Sequence, residues 1–219
     1  YHDTTIGSCS YSDITIFSFH PVKTITSGEG GMAVTNNKHL ARKMGLLRSH
    51  GITRDDDLMT KKPDGLWYYE QVDLGFNYRM TDIQAALGLS QFNRLDKFVQ
   101  KRHYIAEQYR SLLSDLPIKS QLQPKGYYSG MHLYVIQLQL DKLTKSHRCI
   151  FEELRKNILV NLHYMPVHLQ PWYKKMGFSE GDFPESEEYY KRAITIPCYP
   201  DLKDRELHKV SEILHKVIK

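Results

Sequence analysis

The sequence predicts an α/β chain in two parts, on three observations. A run of alternating β-forming residues leads through a glycine-rich turn into a second short strand and a helix. A long apolar stripe at 3.6-residue spacing then ends at Pro117. Beyond it, short strand-like and helix-like segments alternate to the C-terminus. These observations divide the chain into residues 1–116 and 117–219, the second part reading as a smaller α+β domain.

In the first part, Ile14-Thr15-Ile16-Phe17-Ser18-Phe19 reads as a strand because polar and apolar β-formers alternate. Gly28-Glu29-Gly30-Gly31 is turn punctuation, and Met32-Ala33-Val34-Thr35 reads as the next strand. Asn36-Asn37 can cap a helix in which Leu40, Met44 and Leu47 share a face. Residues 51–76 show no period and read as a long surface loop, to which no role is assigned over 54–69. Thr81-Asp82-Ile83-Gln84 has the form of a capping box, and from this start, with the stripe from Leu95 to Leu116 following, about thirty residues of helix or a kinked pair are predicted. After Pro117 the pattern gives a strand at 132–140 and a helix at 146–156 closed by a left-handed Asn157. A strand at 158–163, short helices at 170–176 and 184–193, a strand at 194–197 and a helix at 203–218 complete it.

Composition limits the function classes. Hydrophobic residues make up 41% and charged residues 25% of 219, the balance of a soluble globular protein. Thirty Lys and Arg against 25 Asp and Glu give a net +5 that is spread along the chain, which suits anionic substrates better than nucleic acid. No apolar run reaches the roughly 18 residues of a spanning helix, and no segment reads as a signal peptide. Cys9, Cys149 and Cys198 form no CxxC pair and suit a reducing, cytoplasmic setting. Cys198, between Pro197 and Tyr199, reads as a small core residue rather than a nucleophile. His163 and His168 match no zinc spacing, so no metal is expected. Trp67-Tyr68-Tyr69 and Tyr127-Tyr128 can stack on a base or sugar, or pack against the core or a subunit. The first residue is Tyr1 rather than Met; a processed product, a cloned piece and the ordered part of a longer chain are all compatible with that.

The chemistry concentrates in Ser18-Phe19-His20-Pro21-Val22-Lys23-Thr24-Ile25-Thr26-Ser27-Gly28-Glu29-Gly30-Gly31. A strand here runs into a loop with a hydroxyl, an imidazole and an amine within a few residues. A lysine at such a position, if desolvated against a ligand, becomes a Schiff-base nucleophile and proton carrier, and Ser18 with nearby N–H groups can hold a phosphate. An ordinary solvated loop lysine satisfies the same spacing.

This segment resembles the lysine motif of the DegT/DnrJ-type sugar aminotransferases, loosely S-F-x-x-x-K-x-x-x-x-G-E-G-G. Gly75-Phe76-Asn77-Tyr78-Arg79-Met80-Thr81-Asp82-Ile83-Gln84-Ala85-Ala86 is similar to the family's G-x-N-x-R-x-x-x-x-Q-A-A segment. His163-Tyr164-Met165-Pro166-Val167-His168 followed by Tyr173, and Ile196-Pro197-Cys198-Tyr199-Pro200, complete four motifs in order. The resemblance implies fold type I of the pyridoxal phosphate (PLP) enzymes, the chain holding the C-terminal part of the large domain and the small domain. It implies that Lys23 joins covalently to the cofactor, that Ser18 binds its phosphate and that Asn77 reaches the phosphate of a partner subunit in a homodimer. It places Arg79, His163, Tyr164 and His168 on the substrate side; His20 matches less well. The stretch that precedes these motifs in the family, with most of the phosphate cradle and the Asp that pairs with the pyridine nitrogen, has no counterpart here, since Asp3 and Asp13 do not occupy its motif.

The implied activity is transfer of an amino group from an amino acid, glutamate in this family, to the keto group of a nucleotide-linked deoxy sugar for cell-surface glycan synthesis. The segments 158–168, 132–134 and 197–198 look most like the transaminases of pseudaminic-acid pathways, which aminate C4 of a UDP-linked 4-keto-6-deoxy-N-acetylhexosamine. Two other readings stand beside it. One is sugar dehydration, against which Lys23 argues because the family's dehydratases carry histidine there. The other is a catalytically incomplete fragment that only dimerises or binds sugar nucleotide.

Overall fold

Residues 15–18 (Thr-Ile-Phe-Ser) and 31–34 (Gly-Met-Ala-Val) form strands, the first rich in β-forming side chains. Strand β1 (Thr15–Ser18) pairs antiparallel with β2 (Gly31–Val34), so the lysine segment is the long connection of a hairpin. Gly31 is required there, because a Cβ would stand 2.8 Å from the Phe17 carbonyl oxygen. Asn37 caps helix α1 (Lys38–Arg48), its side-chain oxygen accepting from the N–H groups of His39 and Leu40. The segment read as a loop carries one two-residue ladder, β3 (Ile52–Thr53) against β4 (Glu70–Gln71). The Glu70 carboxylate accepts from the Thr60 N–H at 2.7 Å, the Thr60 hydroxyl at 2.9 Å and the Tyr68 hydroxyl at 2.9 Å, which closes the base of the loop between them.

The capping box forms as expected: Gln84 N–H donates to Thr81 Oγ1 and Thr81 N–H donates to Gln84 Oε1. The predicted stripe is a pair of helices, α2 (Asp82–Phe92) and α3 (Leu95–Leu112), interrupted at Asn93-Arg94. Strand β5 (Ile118–Ser120) follows, an element the sequence reading missed because Pro117 and three residues of mixed polarity give no period. Strand β6 (Tyr134–Leu138) lies between β5 and β7 (Ala193–Ile196) in an antiparallel sheet. Helices α4 (His147–Arg155), α5 (Pro171–Lys174), α6 (Pro184–Arg192) and α7 (Asp204–Ile218) fall where the pattern put them.

Two expectations fail locally. Asn157 does not close α4 in a left-handed conformation; the helix ends through Lys156 at φ −69°, and Asn157 donates instead to Leu154 and Glu153 carbonyls. Residues 158–163 form no strand, since only Asn161 bridges the sheet, at Thr195.

The computed structural model describes all residues Tyr1–Lys219, which form two compact units, Tyr1–Leu95 and Asp96–Lys219. The second unit holds the core: Ile105, Tyr109, Ile136, Ile150, Leu154, Ile194 and Leu214 are at most 1% exposed. Helix α3, which the sequence reading grouped with residues 1–116, buries Ile105, Ala106 and Tyr109 in that core and so belongs to the second unit. The apolar core side chains all lie at or beyond Ile105. The first unit instead exposes large apolar groups, among them Leu66, Leu74 and Ile83, each at least 84% exposed. No helix is long and apolar enough to cross a membrane.

Two outcomes follow. Leu154→Ala, at a site with no exposure, lowers stability by about 2–5 kcal/mol in urea unfolding, from lost transfer energy and the cavity left behind. A fragment of residues 96–219 unfolds cooperatively by circular dichroism, whereas 117–219, stripped of Ile105, Ala106 and Tyr109, shows no cooperative transition.

Candidate functional site

Lys23 sits in a turn just beyond β1, its own N–H donating to the His20 carbonyl at 2.9 Å. The loop is held shape-fast from within. Phe19 N–H donates to the Gly30 carbonyl at 2.9 Å, and Ser27 N–H donates to the Phe19 carbonyl at 3.0 Å. The Thr26 hydroxyl donates to that same Phe19 carbonyl at 2.9 Å while accepting from Gly28 N–H. Ser27 is 1% exposed, and its hydroxyl donates to the Glu29 carbonyl at 2.8 Å, so no polar group is stranded by its burial. Lys23 is half-buried and Ser18 exposed; Ser18 Oγ accepts from His20 N–H at 3.4 Å. His20 Nε2 lies 3.9 Å from Glu29 across the loop, an exposed pair that contributes little.

The Asn77 and Arg79 segment is fixed through backbone. Phe76 N–H donates to Leu47 O at 2.7 Å, His50 N–H to Phe76 O at 2.8 Å and Tyr78 N–H to Arg48 O at 2.9 Å, while Ser49 and Asn77 form a bridge. These bonds clamp 76–78 onto the end of α1. They need glycine at two places: a Cβ on Gly75 would fall 2.3 Å from Gly51 N, and one on Gly51, at φ +71°, would fall 1.9 Å from the Asp73 carbonyl oxygen. Phe76 and Tyr78 stack at 4.8 Å on either side of Asn77, and Asn77 and Arg79 are exposed.

This segment and the lysine loop meet at two points. A Cβ on Gly30 would lie 2.5 Å from Met80 Cε, and one on Gly88 in α2 would lie 3.4 Å from Ser27 Cβ. The structure therefore brings Ser18, Lys23, Asn77 and Arg79 into one unit through the packing of their loops.

His163, Tyr164 and His168 belong to the second unit. His163 Nδ1 lies 2.8 Å from the Thr195 hydroxyl on β7, and Tyr164 is 70% exposed. His168 is buried; its Nε2–H donates to Glu187 Oε1 at 2.9 Å, and the Phe183 ring lies 4.8 Å from the imidazole. Glu187 also accepts from Gly181 N–H at 2.8 Å. The His168 hydrogen bond first, then that of Gly181, holds the Glu187 carboxyl below the usual carboxylate range. Sequence reasoning missed Thr195 and Glu187. They lie 32 and 19 residues from their histidine partners, and only the register of β7 and the start of α6 bring them in. No three His, Cys, Asp or Glu side chains gather as a metal site would require.

The first unit thus holds a lysine-bearing hairpin loop in contact with Met80, and the second is an α+β unit. The chain belongs to the DegT/DnrJ/EryC1/StrS aminotransferase family, whose model matches residues 1–215. It is 35% identical over 208 residues to the UDP-4-amino-4,6-dideoxy-N-acetyl-beta-L-altrosamine transaminase of Campylobacter jejuni, covering 94% of this chain and 53% of that protein. Among solved structures it is similar to Helicobacter pylori PseC, an aminotransferase involved in the biosynthesis of pseudoaminic acid, with a TM-score of 0.83 at 31% identity over 95% of this chain and 54% of that one. It is also similar to the putative sugar aminotransferase Spr1654 of Streptococcus pneumoniae in its PMP form, with a TM-score of 0.85 at 31% identity, covering 96% and 54%. The chain thus spans about half the length of the relatives it matches.

Since folding lowers the Glu187 pKa, its pair with His168 stabilises the protein above the unfolded carboxyl value of about 4.3 and loses that contribution as pH falls through the lower folded value. In Glu187→Gln protein this acid-limb loss disappears. Denaturation midpoints measured between about pH 6 and about pH 3 converge for the two proteins at the acid end and separate above it.

Proposed function

We propose that this chain is the lysine-bearing, sugar-facing part of a PLP-dependent aminotransferase that transfers an amino group from an amino acid, glutamate on the family resemblance, to the keto group of a nucleotide-linked deoxy sugar. The observation that carries this reading is the family match over residues 1–215, within which Lys23 stands in the loop just beyond β1. The donor set suits the cofactor: an amine for an aldehyde, and a hydroxyl and an amide for a phosphate. When bound, PLP supplies the electron sink that stabilises negative charge at the carbon losing a proton.

In this reading Lys23 Nζ would hold the cofactor through its aldehyde, and, once freed by the donor's amine, the same Nζ would be placed to move a proton between the cofactor and the reacting carbon of donor or sugar. The Ser18 hydroxyl and the Asn77 amide donate to the phosphate, the latter in a partner subunit of a homodimer. Arg79 and exposed Tyr164 contact substrate. His163 and His168 hold the Tyr164 segment through Thr195 and Glu187. Modest positive charge favours a diphosphate-bearing substrate, and three scattered cysteines suit a cytoplasmic setting. The relatives' names support a UDP-linked amino-sugar precursor of pseudaminic-acid type as the substrate class.

The large apolar groups exposed in the first unit favour a second reading of this chain by itself. By itself it is a poor catalyst, because that unit works only against further protein surface.

Lys23→Ala removes all borohydride-fixable PLP, detected as cofactor mass on the tryptic peptide, while leaving the unfolding transition of the second unit unchanged. Unaltered labelling of that variant would overturn the assignment. For the shared site, mixing Lys23→Ala with Asn77→Ala protein under subunit exchange raises the PLP fixed on the Asn77→Ala chain; no rise would count against donation of Asn77 in trans.

A further inference from the structure

The lysine loop leaves β1 at Phe19 and returns to β2 through Gly30, and its neck closes on the Phe19 peptide. The Phe19 N–H donates to the Gly30 carbonyl, and the Phe19 carbonyl accepts twice, from Ser27 N–H at 3.0 Å and from the Thr26 hydroxyl at 2.9 Å. The same hydroxyl accepts from Gly28 N–H at 2.9 Å, so it donates to one limb of the loop and receives from the other. The remaining polar side chains of the loop do not bridge it this way. The Ser27 hydroxyl stays on its own limb at the Glu29 carbonyl, Ser18 Oγ reaches only His20 N–H, and His20 meets Glu29 as an exposed pair at 3.9 Å. Residues 20–25 are enclosed by the Thr26 tie, and Lys23 N–H turns back to the His20 carbonyl within it.

We infer that Thr26 is a positioning residue: by tying the returning limb to the end of β1, its hydroxyl sets where the Lys23 amine stands relative to the Ser18 hydroxyl. The inference rests on the aminotransferase reading. PLP carries its aldehyde and its phosphate on one rigid ring, so an amine and a hydroxyl that serve the two must keep a fixed spacing. Ser18 is the last residue of β1 and is placed by the strand, whereas Lys23 lies beyond it and is placed by how the loop closes. Without the hydroxyl, the Phe19 carbonyl keeps only Ser27 N–H, and Gly28 N–H loses its acceptor. Gly28 is at φ +83°, where the limb turns, so the tie is lost at the point of greatest bend. Valine preserves the shape of the side chain and removes both bonds, while serine keeps them.

The test is site-resolved fixation of PLP. The 219-residue protein is titrated with PLP, reduced with borohydride and digested, and label at Lys23 is compared with label at exposed Lys62 and Lys175. Wild-type protein is expected to label Lys23 selectively. Thr26→Val is expected to raise the PLP concentration for half-labelling of Lys23 by about fivefold or more, the scale of one or two lost hydrogen bonds, and to leave Lys62 and Lys175 unchanged. Thr26→Ser is expected to restore wild-type labelling. Thr24→Val, the same substitution one residue after the lysine, where no bond crosses the loop, is expected to label as wild type. Without cofactor, amide exchange is expected to quicken at Gly28 in Thr26→Val while Phe19 stays protected, which separates a local displacement from loss of the hairpin. Selective wild-type labelling that Thr26→Val leaves intact, a serine variant that behaves as valine does, or an equal loss in Thr24→Val would overturn this inference alone. Wild-type Lys23 labelled no more readily than Lys62 would overturn the aminotransferase reading, and this inference with it.

Discussion

The second unit depends on one buried cation. Arg102 on α3 is 5% exposed, and its Nη1 donates to the carbonyls of Met131 at 3.3 Å, His132 at 2.8 Å and Cys198 at 2.6 Å. These carbonyls lie just before β6 and just after β7, so one guanidinium ties the long helix to adjacent strands at the same edge of the sheet. Burial pushes its pKa down from the usual arginine value, yet arginine has so much margin that the group stays charged. Lysine would not substitute unchanged, because a buried ammonium gives up its proton far more readily than a guanidinium. Tyr109, one helical face along, donates its hydroxyl to the Pro197 carbonyl at 2.9 Å and extends the same seam. Burial drives that phenol's pKa up, which keeps it a donor.

Given that seam, β7 becomes the ruler for the histidine segment. Its four residues are all buried. Thr195 exchanges backbone hydrogen bonds with Asn161 at 3.0 and 2.7 Å, and its hydroxyl meets His163. At the other end, Glu187 in the first turn of α6 secures His168. Tyr164 therefore projects from a short span fastened on both sides. The position of this exposed side chain is thus set by buried partners on β7 and α6.

Much of this was legible in the sequence where a local rule sufficed. The hairpin followed from alternation and glycine, α1 from Asn37, and α2 from Thr81 with Gln84. What failed needed tertiary information. The stripe begins only at Leu95 and neither proline nor glycine marks Asn93-Arg94, so the pattern left one helix or a kinked pair open, and it is the backbone that breaks there into α2 and α3. Residues 158–163 have the composition of a strand, but just one residue finds an edge to pair with. The family resemblance puts His168 on the substrate side; its burial against Glu187 depends on a partner on another element, which spacing does not encode. The motif residues of the lysine loop were legible as a set, whereas the reason for their glycines was not.

That reason lies in close approach. Gly30, at φ +150°, leaves no space for a Cβ between Met80 and Ser27, and Gly88 faces Ser27 from α2. Gly51 and Gly75 let two backbone segments pass at a distance no side chain tolerates. Each glycine thus stands where one motif touches another, not merely where the chain turns. A methyl group at Gly30 would push the lysine loop away from Met80; one at Gly75 would push the Asn77 segment off the end of α1. The lysine loop is kept in contact with Met80 by the absence of a side chain at Gly30, and the Asn77 segment on the end of α1 by its absence at Gly75, so a substitution at either position displaces one of these loops.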